Sequence, residues 1–129
     1  MKFGSAILAS ALAIIATSVI TLGAYAASPA PNGEQVFRQR CQVCHTVTSP
    51  TPGPLAPSLV GVVGRRAAST SFANYSPALR ASNIVWTRAN LDRFLTAPGR
   101  MVPGTRMVIA VSDPAQRAAI LNYLAKPTS

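Results

Sequence analysis

The chain is poor in the residues that usually build reactive sites. Its 129 residues include three acidic side chains, two cysteines and a single histidine. Both cysteines and the histidine fall in one stretch, Cys41-Gln42-Val43-Cys44-His45. A structural zinc site normally takes four Cys/His ligands, and no fourth is available. A thioredoxin-like redox pair expects a strand–helix–strand setting, yet the best strand-like run, 107–111, is short. A disulfide at this spacing would close a very small loop and stabilise little. Aromatic residues are also sparse, with three tyrosines and one tryptophan. The basic residues are scattered rather than clustered, which speaks against nucleic acid as a partner. No internal repeat is visible.

What is present is a pattern suited to one chemistry. Two thiols at i and i+3 can each add across a vinyl group of haem, and the imidazole that follows can ligate the iron; this is the C-x-x-C-H reading. The other face of the iron needs a second ligand or stays open. Without a second histidine, bis-imidazole ligation is excluded, and no distal imidazole can serve as the acid/base of a peroxidase. Methionine sulfur is the natural alternative, because His/Met ligation suits electron transfer. Met1 would leave with the N-terminal segment, so Met101 and Met107 remain. Met107 follows Pro103-Gly104-Thr105-Arg106, a turn that can aim the sulfur inward beside the Thr105 hydroxyl. Met101 lies beside Arg100 in a stretch expected to be exposed. Either methionine could instead be core filler.

The N-terminus reads as an export signal. Met1-Lys2-Phe3 precedes an apolar run over 6–22, and Ala24-Tyr25-Ala26 matches a small-residue cleavage triplet, so 1–26 reads as a signal peptide. The apolar run approaches the ~20 residues of a membrane span, so the segment would act as an anchor if retained. Either way the rest of the chain is expected to be exported, periplasmic and either free or tethered. A Pro/Ala/Ser linker, 27–32, then leads into one domain, 33–129. So small a domain is marginal alone, and a covalently held apolar cofactor would complete its core. The net charge is +9, with +8 remaining without Lys2. That charge calls for an acidic partner.

Helical periodicity dominates after the linker. Asn32 is a candidate N-cap with Gln35 three residues on, as in a capping box, opening a helix over 33–43. Phe37 lies one turn before Cys41 on the same face and reads as core. A Pro/Gly-rich, apolar loop over 46–64 should fold over something hydrophobic. Arg65-Arg66 are either solvated charges or, in one case, a partner for a haem propionate. Ser76-Pro77 opens a short helix over 77–82. Thr87 caps another over 88–97, with Leu91, Phe94 and Leu95 on one face and Pro98-Gly99 as its stop. Trp86, just before it, is core or a donor to a buried acceptor. A second loop covers 98–112. Asp113 caps the last helix, 114–125, with Ile120, Leu121 and Leu124 inward.

These motifs resemble the class I cytochromes c, of the mitochondrial cytochrome c and bacterial cytochrome c2 type. The likeness runs from Gly33 to Ala125. Gly33 and Phe37 precede Cys41-x-x-Cys44-His45-Thr46-Val47. The run from Pro57 to Arg65 resembles the family's loop before its arginine. Phe72, Tyr75 and Trp86 stand at familiar separations, and Pro103-Gly104-Thr105-Arg106-Met107 resembles P-G-T-K-M.

The resemblance implies an all-α cytochrome c fold, with N- and C-terminal helices crossing around one covalently attached haem c. It implies a monomeric one-electron carrier rather than an enzyme. The alternatives are an electron-transfer subunit of a larger membrane complex and, less well supported, a haem peroxidase. His45 and Met107 become the iron ligands and Cys41 and Cys44 the attachment points. Pro57 would offer its carbonyl to the other ring nitrogen of His45. Arg65, Tyr75, Trp86 and Thr105 would line the propionates. Arg40, Arg100 and Arg106 would stand at the haem edge, where acidic redox proteins dock. The chain departs from the family at Phe94, where a tyrosine is common, at Leu79, where an asparagine is common, and in using arginine for lysine. The first two make the pocket less polar.

Overall fold

The computed structural model describes residues 28–127, so the expected signal segment 1–26 and the final two residues lie outside the described range. Five helices follow in order: α1 Gly33–Arg40, α2 Pro77–Ala81, α3 Arg88–Thr96, α4 Pro98–Met101 and α5 Pro114–Ala125. The all-α expectation holds among the described residues, where an isolated antiparallel bridge joins Arg66 to Val85.

Local chemistry sets the starts of four of these helices. The first amides of a helix lack carbonyl partners, and short polar side chains supply them. Asn32 accepts from the Gln35 amide, Ser76 from Leu79 and Thr87 from Asn90, while Asp113 accepts from Ala115 and Gln116. Two expectations need correction. The first helix ends at Arg40, not at 43, because residues 41–44 tighten into a turn in which the Cys41 and Gln42 amides share the Phe37 carbonyl. The stretch after 97 is not all loop: Pro98 opens α4 instead of merely ending α3. Proline suits the first position of a helix as well as a stop, since its missing N–H would be unpaired there anyway.

The core lies where α1 and α3 meet α5. Val36 and Phe37 of α1, Leu91, Phe94 and Leu95 of α3, and Ile120, Leu121 and Leu124 of α5 are all buried. Each such side chain is worth about 1.5–3 kcal/mol of transfer energy, as an upper range. Phe37 meets Tyr123 of α5 with ring centroids 5.4 Å apart. This contact sits one turn before Cys41, so the helix crossing fixes where the turn from Cys41 to His45 emerges. The first loop is only partly folded inward: Val62 is buried, but Leu55 is 68% exposed. Met101 is also corrected. It belongs to α4 and packs partly buried against the core, not out in solvent.

Candidate haem site

The turn from Cys41 to His45 presents two thiols and an imidazole at the end of α1. The Cys44 and His45 amides both donate to the Cys41 carbonyl, at 3.0 and 2.9 Å. Both thiols are free and partly accessible. Burial pushes the Cys41 thiol up to about 11, with the nearby Arg40 charge partly opposing, so it is a thiol and not a thiolate at neutral pH.

His45 is held from behind. Its Nδ1 lies 2.8 Å from the Pro57 carbonyl oxygen. A carbonyl can only accept, so Nδ1 carries the proton and Nε2 keeps its lone pair. Burial lowers the His45 pKa, outweighing the Pro57 bond that favours the charged ring. The imidazole is therefore in its neutral, metal-binding form.

Arg65 stiffens the loop that carries Pro57. Its Nη1 donates to the Val60 carbonyl at 2.6 Å and its Nη2 to the Ser58 carbonyl at 2.8 Å. Burial lowers its pKa, with the nearby Tyr75 hydroxyl pulling the other way. Neither sequence reading of this arginine included backbone carbonyls as its partners. A guanidinium has five N–H groups, so donors remain for an anion. Arg66 is exposed and donates to Asn83 Oδ1.

The remaining expected residues divide by environment. Tyr75 is buried, and its hydroxyl shares a 2.6 Å bond with Thr70 Oγ1. Trp86 is buried and tilted against Phe94, 4.9 Å between centroids. It is core, yet its indole N–H has no acceptor among the described residues, which leaves that donor free for a bound group. Thr105 Oγ1 accepts from the Met107 amide at 3.3 Å. Met107 is partly buried beside the core. Arg40 and Arg100 are exposed, and their side chains make no hydrogen bond or ion pair among the described residues. Arg106 differs, donating from Nη1 to the Asn74 carbonyl at 2.8 Å. Sequence reasoning missed that bond, for which no local signal exists. A cavity of about 640 Å³ near α1 is lined by Phe37, His45 and Tyr123, among others, but not by Cys41, Cys44 or Met107.

This donor set suits haem better than a bare ion. Among the described residues, no three His, Cys, Asp or Glu side chains converge on a common point. The chain offers iron one oriented imidazole nitrogen and thioether sulfurs from methionine. The other coordination positions must then come with the iron in a macrocycle, which the two free thiols can bind covalently.

Comparison with known proteins gives the same class. The family model described as Cytochrome c matches residues 30–127. Cytochrome c2 from Rhodomicrobium vannielii is 42% identical over 112 residues, covering 85% of this chain and 88% of that protein. Cytochrome c 2.1 from Caenorhabditis briggsae is 39% identical over 93 residues, covering 71% and 82%. The solved structure of cytochrome cH from Methylobacterium extorquens superposes with a TM-score of 0.66 at 37% identity, covering 72% of this chain and 93% of that one. The chain belongs to the cytochrome c family, which carries electrons on one covalently attached haem c. Its relatives are electron carriers rather than enzymes.

Proposed function

We propose that this protein is a one-electron shuttle whose iron is held between His45 and Met107, working among exported or membrane-bound redox proteins. The bound haem would supply the exchange of a single electron between ferric and ferrous iron. The observation that carries the ligand assignment is the 2.8 Å bond from His45 Nδ1 to the Pro57 carbonyl. It leaves the opposite nitrogen unprotonated and available to a metal and restrains the ring, which would lower the rearrangement that each electron transfer requires. Cys41 and Cys44 would hold the cofactor covalently. Met107 would supply the second ligand, a thioether sulfur. The Trp86 indole N–H and the unused donors of Arg65 would meet the propionates, with Tyr75 and Thr105 as further polar groups.

Every acidic side chain is engaged within the fold. Glu34 pairs with Arg38, Asp92 pairs with Arg117, and Asp113 caps α5. The unopposed surface charge is therefore positive, and Arg40 and Arg100 are available to steer an acidic redox partner; Arg106 adds a further positive charge. Such steering gives fast, salt-sensitive encounters. Residues 1–26 act as an export signal. Their retention would make the protein a tethered carrier or a complex subunit, which fractionation into soluble and membrane pools decides. The ligand assignment is tested by the spectra of the exported holoprotein. Low-spin haem c in both redox states, with a far-red sulfur-to-ferric-iron band, is the expected result. A five-coordinate, high-spin spectrum in the native protein rejects Met107 as the ligand.

A further inference from the structure

We infer that Arg106 is a positioning residue for the ligand loop: its bond to the Asn74 carbonyl keeps the Met107 sulfur seated on the iron. This rests on the proposed Met107 ligation. The loop is anchored firmly at its two ends. Val102 and Val111 are buried, and the Val111 amide donates to the Leu95 carbonyl at 2.8 Å. On the C-terminal side, Arg117 grips the Val111 and Ser112 carbonyls at 3.0 and 2.8 Å. Between the anchors, Val108 and Ile109 are 80% and 49% exposed, and the Met107 amide bonds only within the loop, to Thr105.

Just before Met107, the loop reaches outward in two places. Gly104 has φ +88°, and a Cβ there would stand 3.3 Å from Ala78 of α2. Arg106 bonds to Asn74, 32 positions away. The anchor at Asn74 is itself braced. Arg80 donates to the neighbouring Ala73 carbonyl at 2.7 Å and lies over the Tyr75 ring, and Tyr75 meets Phe72 edge-on at 5.2 Å. Two guanidiniums thus hold consecutive carbonyls, one from α2 and one from the ligand loop. No carboxylate competes for Arg106, because all three acids are engaged elsewhere. With the strap gone, Met107 hangs between Gly104 and Val111, and its sulfur leaves the iron more often.

The test is imidazole binding to the ferric holoprotein, followed by stopped flow. Binding is limited by departure of the sulfur, so R106Q is expected to bind about fivefold faster, the scale of one ordinary solvent-exposed hydrogen bond. R106K keeps a charged donor but loses the planar fork, and should fall between the two. R93Q removes an equal charge from an exposed side chain without a partner among the described residues, and should bind at the wild-type rate. Should R106Q not hold its haem, amide exchange at Met107, Val108 and Ile109 in R106K replaces it; faster exchange than wild type supports the strap and equal exchange overturns it. Equal binding rates in R106Q and wild type, or equal acceleration in R93Q, overturn it as well. A wild-type protein without the sulfur-to-iron band overturns the Met107 ligation and the strap together, whereas a normal band with unchanged rates overturns the strap alone.

Discussion

Gly33 of α1 rests directly on the backbone of Ala119 in α5. A Cβ built on Gly33 would stand 2.1 Å from the Ala119 carbonyl oxygen and 3.0 Å from Tyr123 Cβ. Both neighbours are close to the backbone and cannot swing aside. G33A must push the two helices apart, and the loss is expected at about 2–3 kcal/mol, the upper part of the range for overpacking. Urea unfolding of the holoprotein measures it. A change below half a kcal/mol, roughly the scatter of surface substitutions, would show that the crossing is looser than described.

Removing the methionine sulfur should leave an open site. Among the described residues there is no second histidine, and the one lysine, Lys126, caps the far end of α5. M107A should therefore lose the far-red band and bind carbon monoxide rapidly in the ferrous state without denaturant. M101A should keep the band, because Met101 packs against the core. Its expected cost is about 1–2 kcal/mol of stability, below the range for a fully buried methionine. Loss of the band in M101A and not in M107A reverses the assignment.

Arg117 joins two parts of the fold through one guanidinium. Its Nε donates to Asp92 Oδ1 of α3 at 2.8 Å, while Nη1 holds the Val111 and Ser112 carbonyls. The Arg117 side chain is 11% exposed and the Asp92 side chain 44%. The bonds to the carbonyls therefore matter more than the solvent-screened ion pair. R117A should lose about 2–3 kcal/mol, and D92N less than about 1 kcal/mol. Thermal unfolding of both variants, with the double variant closing the cycle, reads the difference. A D92N loss as large as that of R117A would place the energy in the ion pair.

The free arginines should govern encounter with anions. R100E and R40E each change the charge by two units at a side chain without a hydrogen bond or ion pair among the described residues. Oxidation by ferricyanide should slow about three- to tenfold in each at low ionic strength, and the difference should shrink as salt screens the charges. R93E serves as the reference for charge alone. If it slows the reaction equally, steering comes from net charge and not from Arg40 and Arg100.

Features within a few residues of one another were open to reading from the chain. Asn32, Ser76, Thr87 and Asp113 each cap an amide two or three positions on, so the capping residue and its target travel together in the sequence. Pro98 shows where such reading becomes ambiguous. Proline both ends helices and begins them, and the burial of Pro98 and Met101 against α3 and the core selects a new turn of helix over a loop. Arg65 shows a second limit. The sequence offered water or a propionate, but backbone carbonyls five and seven positions back take two of its donors.

By itself, the sequence determined two thiols and an imidazole at the spacing suited to haem attachment, Cys41, Cys44 and His45, together with the helical class and the net basic charge. Each depends on residue type and short spacing, which the chain carries before it folds. Only the tertiary structure decided that Gly33 meets Ala119, that Met101 turns into the core and that Arg106 reaches Asn74. Those contacts join segments far apart in the chain, and their energies depend on how closely the packed helices approach. The turn from Cys41 to His45 shows both halves. Its composition sets what it can bind, and the Pro57 carbonyl, brought from twelve positions away, sets which His45 nitrogen keeps its lone pair.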